Sequence, residues 1–290
     1  MTPVRFIVWQ MPTTGFTEPD WSLSMEVIDL AWWKLGLAAL LVLALAGTGY
    51  LARLGITCSL LIAGTRTVIQ LALIGLVLEA LFASSEFYWI ALLAVIMLLV
   101  AGREVVARQG RRLHGWWAFG IGTGAMFVSS FTVTVLALTV VIGPNPWYAP
   151  QYAIPLLGMM LGNTMTGVSL ALDRLNESVW RQRAVIENRL MLGQTWQQAL
   201  EDIRRDAMRS GMMPSINAMA AAGIVSLPGM MTGQILAGSP PAVAVKYQIL
   251  VMLIITVGTG FGALIAVTWG SRRLFDDRER LRLDRLVSSG

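Results

Sequence analysis

The sequence predicts an all-α, polytopic membrane protein of about seven transmembrane helices, N-terminus out and C-terminus in, with a cytoplasmic helical hairpin. Three observations carry this. Of the 290 residues 56% are hydrophobic and 13% charged, and the mean hydropathy is +0.64, too apolar for a soluble globule of this length. The apolar residues fall in blocks of about 20, enough for a helix to cross about 30 Å of hydrocarbon. The basic residues between the blocks are divided unequally, and that bias orients the chain.

The blocks read as spans at 30–52, 59–82, 87–102, 116–142, 150–172, 215–237 and 244–270. The third is the shortest, and the sixth contains Pro228. Arg53, then Arg103, Arg108, Arg111 and Arg112, fall in the first and third loops; the fifth loop and the tail hold most of the other arginines, which puts 18 of 22 basic residues on one side. The opposite side has Arg5, Lys34 and Lys246 beside Glu18, Asp20, Glu26, Asp29 and Glu86. The net charge of +5 is therefore read as topology, helped by anionic lipid at the inner surface; no nucleic-acid partner is needed. The chain divides into an extracytoplasmic segment 1–29, a transmembrane domain 30–270 and a basic cytoplasmic tail 271–290 in the inner (plasma) membrane. The first residues lack a cleavable-signal pattern, so the first span is expected to act as its own insertion signal.

The hairpin occupies 173–214. Leu175, Val179, Ile186 and Leu190 share one face of its first helix, and Gly193 is placed to end that helix in a left-handed cap. Thr195 to Gln198 matches a capping box, in which hydroxyl and amide satisfy each other's backbone N–H. Trp196, Ala199, Leu200, Ile203 and Ala207 follow at helical spacing, and the second helix is expected to stop near Gly211 and Pro214. Such a hairpin is either a docking element or a surface connector between spans.

Several chemistries are excluded. A lone Cys58 and a lone His114 rule out a disulfide framework and any ordinary Cys/His zinc site. The only lysines, Lys34 and Lys246, lie outside any phosphate-binding glycine loop, so the chain is not expected to be an enzyme that hydrolyses ATP. A proton-coupled carrier keeps carboxylates within the bilayer, whereas Glu79 sits at the outer end of its span. Arg66 lies deep in the second span with Gln70 one turn on; it is either a pathway residue or a structural cation snorkelling to a cytoplasmic acid.

Pro155 to Gly162 and Pro228 to Gly233 each pair a proline with Gly-Met-Met-X-Gly. Proline frees a helical carbonyl, and the glycines admit close helix approach. Asn163, Thr164 and Thr166 follow the first string and Gln234 the second. Interrupted helices of this kind build midplane sites in many transporters. Met159, Met160, Asn163, Met230, Met231 and Gln234 are thus candidate pathway residues beside Arg66 and Gln70; for any one of them, packing with methionine as filler is the alternative.

Arg66-Thr-Val-Ile-Gln-Leu-Ala-Leu-Ile-Gly75, Pro155-Leu-Leu-Gly-Met-Met-Leu-Gly-Asn163, Val225 to Gly238 and Lys246-Tyr-Gln248 resemble the FetB-type ABC transporter permeases. That family is implicated in iron export and has plant relatives tied to aluminium tolerance. The resemblance runs from about residue 30 to 275. It implies a permease homodimer that exports iron, another metal or a chelate. ATP would be used by a separate ABC ATPase subunit, and this chain would carry no cofactor. It also implies a coupling role for the hairpin: Glu187 and Gly193 resemble the start of an EAA-type coupling loop, although the alanines after Glu187 are missing. Thr195 and Trp196 complete that candidate contact, with Trp196 as an apolar anchor beside the turn. Direct metal ligands are not identified, since methionine thioethers favour softer ions than iron. The rival classes are an ion-driven secondary carrier and a seven-helix receptor-like protein; for a retinal protein, Lys246 lies at the wrong depth.

The orientation is testable. In a Cys58-free background, single cysteines at Ser85 and Ser239 should react with impermeant reagents from outside, and those at Gln194 and Ser288 should not. Outside labelling at Gln194 would overturn it.

Overall fold

A computed structural model describes residues 31–84 and 86–288; the 1–29 segment and Ser85 lie outside the described residues. Among the described residues the regular structure is helical, apart from one short two-stranded sheet. α1 (Trp32–Leu51), α2 (Thr57–Ser84) and α3 (Phe87–Ala107) come first, followed by β1 (Arg111–Leu113). α4 (Trp116–Met126) and α5 (Thr132–Leu136) alternate with π-helical turns at Phe127–Phe131 and Ala137–Ile142, together forming one span. α6 (Pro150–Arg181), α7 (Arg183–Met191), α8 (Trp196–Ala199), α9 (Glu201–Ala221), α10 (Gly229–Leu236), α11 (Pro241–Arg273) and β2 (Leu286–Ser288) complete the order.

Six helices among the described residues are long and apolar enough to cross a membrane. α2 leaves nearly all its apolar side chains on the outside, as a lipid-facing helix does. The centre is built differently. α6, α9 and α11 meet through small residues, and Gly167, Ala171, Ala207, Gly211, Ala263 and Ala266 are all buried. A Cβ at Gly211 would stand 2.7 Å from the Gly167 carbonyl oxygen and 2.8 Å from the Ala171 Cβ. In lipid, where no hydrophobic force drives helices together, such backbone contact supplies the van der Waals packing that does.

Two expectations are corrected here. The segment 215–237 is not one helix: α9 ends at Ala221, residues 222–228 are non-helical, and α10 begins at Gly229. Averaged hydropathy cannot register a break when the broken residues are themselves apolar. Gly211 and Pro214 do not stop the hairpin's second helix either, because α9 runs through both. Gly211 serves packing, and Pro214 lies on the exposed side of the helix.

The small sheet fixes which ends share a side. β2 pairs antiparallel with β1, Leu286 opposite Leu113, so the tail after α11 lies with the α3–α4 loop. The same loop is held to the far end of α6: Gly110 N–H donates to Asp173 Oδ1 (2.7 Å) and Arg111 Nε to Glu177 Oε2 (3.0 Å). α6 and α11 therefore both end on this side. α11 must start on the other, so the chain between Arg181 and Pro241 has to cross, and the broken α9–α10 segment is what lies there.

The tail is folded. Arg285 donates to the carbonyls of Arg273 (2.6 Å) and Phe275 (3.1 Å). The Asp276 carboxylate accepts the backbone N–H groups of Arg278 (3.0 Å) and Arg280 (2.8 Å) and the Arg280 Nε (2.9 Å). These donors, the Arg280 backbone N–H first, hold its carboxyl below the usual aspartate range.

Two outcomes follow from this packing. Gly211→Val should destabilise the helix junction by about 1–3 kcal/mol through overpacking, read as a lower thermal unfolding temperature in detergent; an unchanged midpoint would refute the close contact. A carboxyl whose folded-state pKa is depressed stabilises fully above its unfolded value, and that contribution is lost as pH falls through the folded value. Amide protection at Arg278 and Arg280 should therefore persist down to about pH 5 and fall only below about pH 4; loss between pH 7 and 6 would contradict the assignment.

Candidate functional site

The residues that follow Pro155 in α6 and the break before α10 come to one place. A pocket of about 180 Å³ lies between α6, α9, α10 and α11, lined by Met159, Asn163, Ser215, Met230, Gln248 and Thr256 among others. Pro155 lies inside α6 one turn before Met159, Pro214 inside α9 beside Ser215, and Pro228 caps α10. Each proline removes an amide donor; α6 and α9 stay helical through theirs, and the backbone is irregular at residues 222–228, before α10. Irregular backbone at this depth belongs beside protein or a cavity.

The polar groups here are uncharged. Asn163 Nδ2 donates to the Met159 carbonyl (2.8 Å), and the Thr256 hydroxyl to the Met252 carbonyl (2.9 Å), with Met219 Sδ at 3.2 Å. Gln248 is only 8% exposed, and its carbonyl oxygen has no partner among the described residues. Deeper in the bundle the buried hydroxyls of Ser130, Thr134, Thr164 and Thr259 are also unpartnered. A buried polar atom left unpaired costs about 1–3 kcal/mol, so at this pocket the bare Gln248 oxygen marks a place where water or a ligand completes the bonding. No group of three or more His, Cys, Asp or Glu side chains able to hold a metal occurs among the described residues.

Of the candidate pathway residues, Met159, Asn163 and Met230 meet in this pocket. Met160 is fully buried in the core against Gly258. Gln234 has a buried, unpartnered carbonyl oxygen, but neither it nor Met231 lines the pocket. Arg66 and Gln70 are elsewhere, in a shallow concavity on the outer face of α2. There Arg66 pairs with Glu104 of α3 at 3.3 Å, and Arg108 approaches the same carboxylate at 3.7 Å. Ser215, Gln248 and Thr256 were not singled out as site residues. Gln248 carried a signal, as an amide entering the otherwise apolar α11.

The hairpin is a second candidate surface. Gly193 takes φ +85°, and both halves of the capping box form at Thr195 and Gln198. Glu187 is exposed on α7. Trp196 turns inward: its ring lies 6.0 Å from Phe275, Arg204 sits 5.9 Å over it, and its backbone N–H donates to Glu279 Oε2 at 3.2 Å. Met191 and Leu192, 77% and 83% exposed, form the projecting tip instead. Sequence spacing could not separate these roles, because the tail that covers Trp196 is more than 70 residues away in the chain.

Comparison with known proteins places this geometry. The chain is 37% identical over 264 residues to a UPF0014 membrane protein of Synechocystis, covering 88% of this chain and 98% of that one. It is 30% identical over 259 residues to the "Probable iron export permease protein FetB" of Escherichia coli, covering 87% and 95%. It is 32% identical over 217 residues to "Protein ALUMINUM SENSITIVE 3" of Arabidopsis thaliana, covering 74% and 77%. No solved structure matches. The family profile matches residues 32–275, and the chain belongs to the family described as the uncharacterised protein family UPF0014.

Proposed function

We propose that this chain is the membrane-spanning permease of an ABC-type exporter for iron, another metal or a metal chelate, driven by a separate ATPase subunit. The observation that carries the reading is the hairpin turn. It is rigid at its base and apolar at its tip, which transmission of force from another subunit requires. The base is rigid because the capping box, the Arg189–Asp202 pair (3.0 Å) and the stack of Trp196 on Phe275 tie α7, α8, α9 and the tail together. The tip presents Met191 and Leu192 to solvent, and large apolar side chains at the centre of an interface supply most of its binding energy. The printed name of the Escherichia coli relative supports the permease and iron-export parts of the reading.

In this mechanism the ATPase grips the tip and moves α7–α8. That motion passes directly to α9, which packs on α6 and α11 through glycine and alanine. α9 also carries Ser215 on the wall of the pocket. Displacing it changes that wall, so the pocket is the natural cargo site and opens to alternate sides as α9 shifts. A permease homodimer would supply two such tips to a pair of ATPase subunits.

Met191→Asp combined with Leu192→Asp should reduce co-purification with the ATPase by about tenfold or more and abolish ATP-dependent transport, while membrane insertion is retained. Trp196→Ala and Gly193→Val should act indirectly, loosening the base and uncoupling transport with a smaller loss of binding. Wild-type co-purification and transport in all of these variants would reduce the hairpin to a connector.

A further inference from the structure

The pocket's wall includes the start of α10, and this specifies what it can hold. Pro228 is the N-cap, and the first amide of the helix to find a backbone acceptor is that of Thr232, on the Pro228 carbonyl. The amides of Gly229 and Met230 precede it and lack an intrahelical acceptor. Both residues line the pocket. A helix start carries a partial positive charge and exposed N–H donors, and so favours an oxyanion. A second, independent feature sits on α11: the buried Gln248 side chain, whose carbonyl oxygen has no donor. The lining contains no lysine, arginine, histidine, aspartate or glutamate, so a bare multivalent cation would meet no opposing charge and a helix end of the wrong sign. Asn163, Ser215 and Thr256 add neutral polar groups, and the methionines add apolar contact.

We propose that this pocket binds a small organic acid carrying a hydroxyl group, with its carboxylate on the Gly229 and Met230 amides and its hydroxyl donating to Gln248 Oε1. Such a ligand arrives free, with its hydroxyl protonated and donating to Gln248, or as the outer shell of chelated Fe(III), whose hydroxyl oxygen is deprotonated on the metal and leaves only the carboxylate contact with the helix start. The proposal deepens the permease reading and rests on it for the assumption that the pocket holds cargo. It accounts for a chain related to a named iron permease that has no acidic, imidazole or thiol cluster among its described residues: the metal's oxygen ligands come with the cargo.

Binding is measurable on the purified full chain in lipid nanodiscs, without any ATPase, by calorimetry with three probes: citrate, tricarballylate (the same tricarboxylate lacking the hydroxyl) and Fe(III)-citrate. Citrate should bind, and tricarballylate at least about tenfold more weakly, because it leaves Gln248 unpaired. Gln248→Leu should erase that difference. Gly229→Pro deletes one amide donor at a position where helices accept proline, and a Cβ there meets nothing within 4 Å; it should weaken every acid about fivefold or more while α10 still forms. Tighter binding of Fe(III)-citrate than of citrate assigns the chelate as the source, and the reverse order assigns the free acid. Absence of citrate and Fe(III)-citrate binding, or binding indifferent to both substitutions, overturns the proposal. So does Ag(I) binding in a Cys58→Ser background that Met159→Leu with Met230→Leu removes, if the acids do not bind. Failure here with intact ATP-dependent transport leaves the permease reading standing. Acid binding without ATPase association leaves the pocket assigned and removes the ABC partnership.

Discussion

The constraint on which this structure depends is the close approach of Gly167 on α6 to Gly211 on α9. Neither position tolerates a Cβ without displacing the other helix's backbone, so the two helices are set at near backbone contact. α11 closes the third side through Thr259 and Ala263. Everything that distinguishes the molecule from a plain bundle follows from where this junction holds α9. One turn beyond Gly211, Ser215 lines the pocket; in the other direction α9 continues into the hairpin. A single helix, clamped at its middle, thus joins the surface that could receive force to the wall that could release a ligand.

Clamping a helix transmits motion only if its other attachments are also firm. On the hairpin side the tail supplies this. β2 on β1, Arg285 on the carbonyls of Arg273 and Phe275, and Glu279 on the Trp196 N–H link the end of α11, the α3–α4 loop and the hairpin base. None of these contacts is strong alone, since a hydrogen bond contributes about 0.5–3 kcal/mol net. The strand pairing is backbone to backbone and the others join a side chain to a backbone group; they connect elements far apart in sequence, so their value is geometric: they hold the hairpin base against the tail.

Much of this was legible in the sequence, and the failures have physical causes. Long apolar blocks report spans because a bilayer imposes a length, and six of the seven expected spans fall on long apolar helical segments, although α6 continues past the expected end at 172 as far as Arg181. The capping box at Thr195 and the left-handed Gly193 were legible because caps are local. The region 215–237 was misread as one helix, since hydropathy measures affinity for lipid and not continuity of hydrogen bonding. Gly211 was misread as a stop because glycine serves both for caps and for close packing, and only the neighbouring helix decides which. Met159 and Met160 show the same limit. Adjacent residues point about 100° apart on a helix, so one lines the pocket and the other fills the core. Trp196 was taken as an outward anchor because the Phe275 that covers it is distant in the chain.

The distribution of charge completes the argument. Arg66 with Glu104 and Arg174 with Asp206, which join helices, and Arg111 with Glu177, which joins β1 to α6, lie away from the pocket. The pocket has only dipoles: helix N–H groups, amides, hydroxyls and thioethers. A transport site must bind its cargo well enough to select it and weakly enough to let it go. A carboxylate facing a trivalent metal in a low-dielectric interior would hold it too tightly to release, because Coulomb attraction there is several-fold stronger than in water. Dipoles set no such trap, which suits the role proposed for this pocket, that of receiving a carboxylate ligand or its chelate and letting it go.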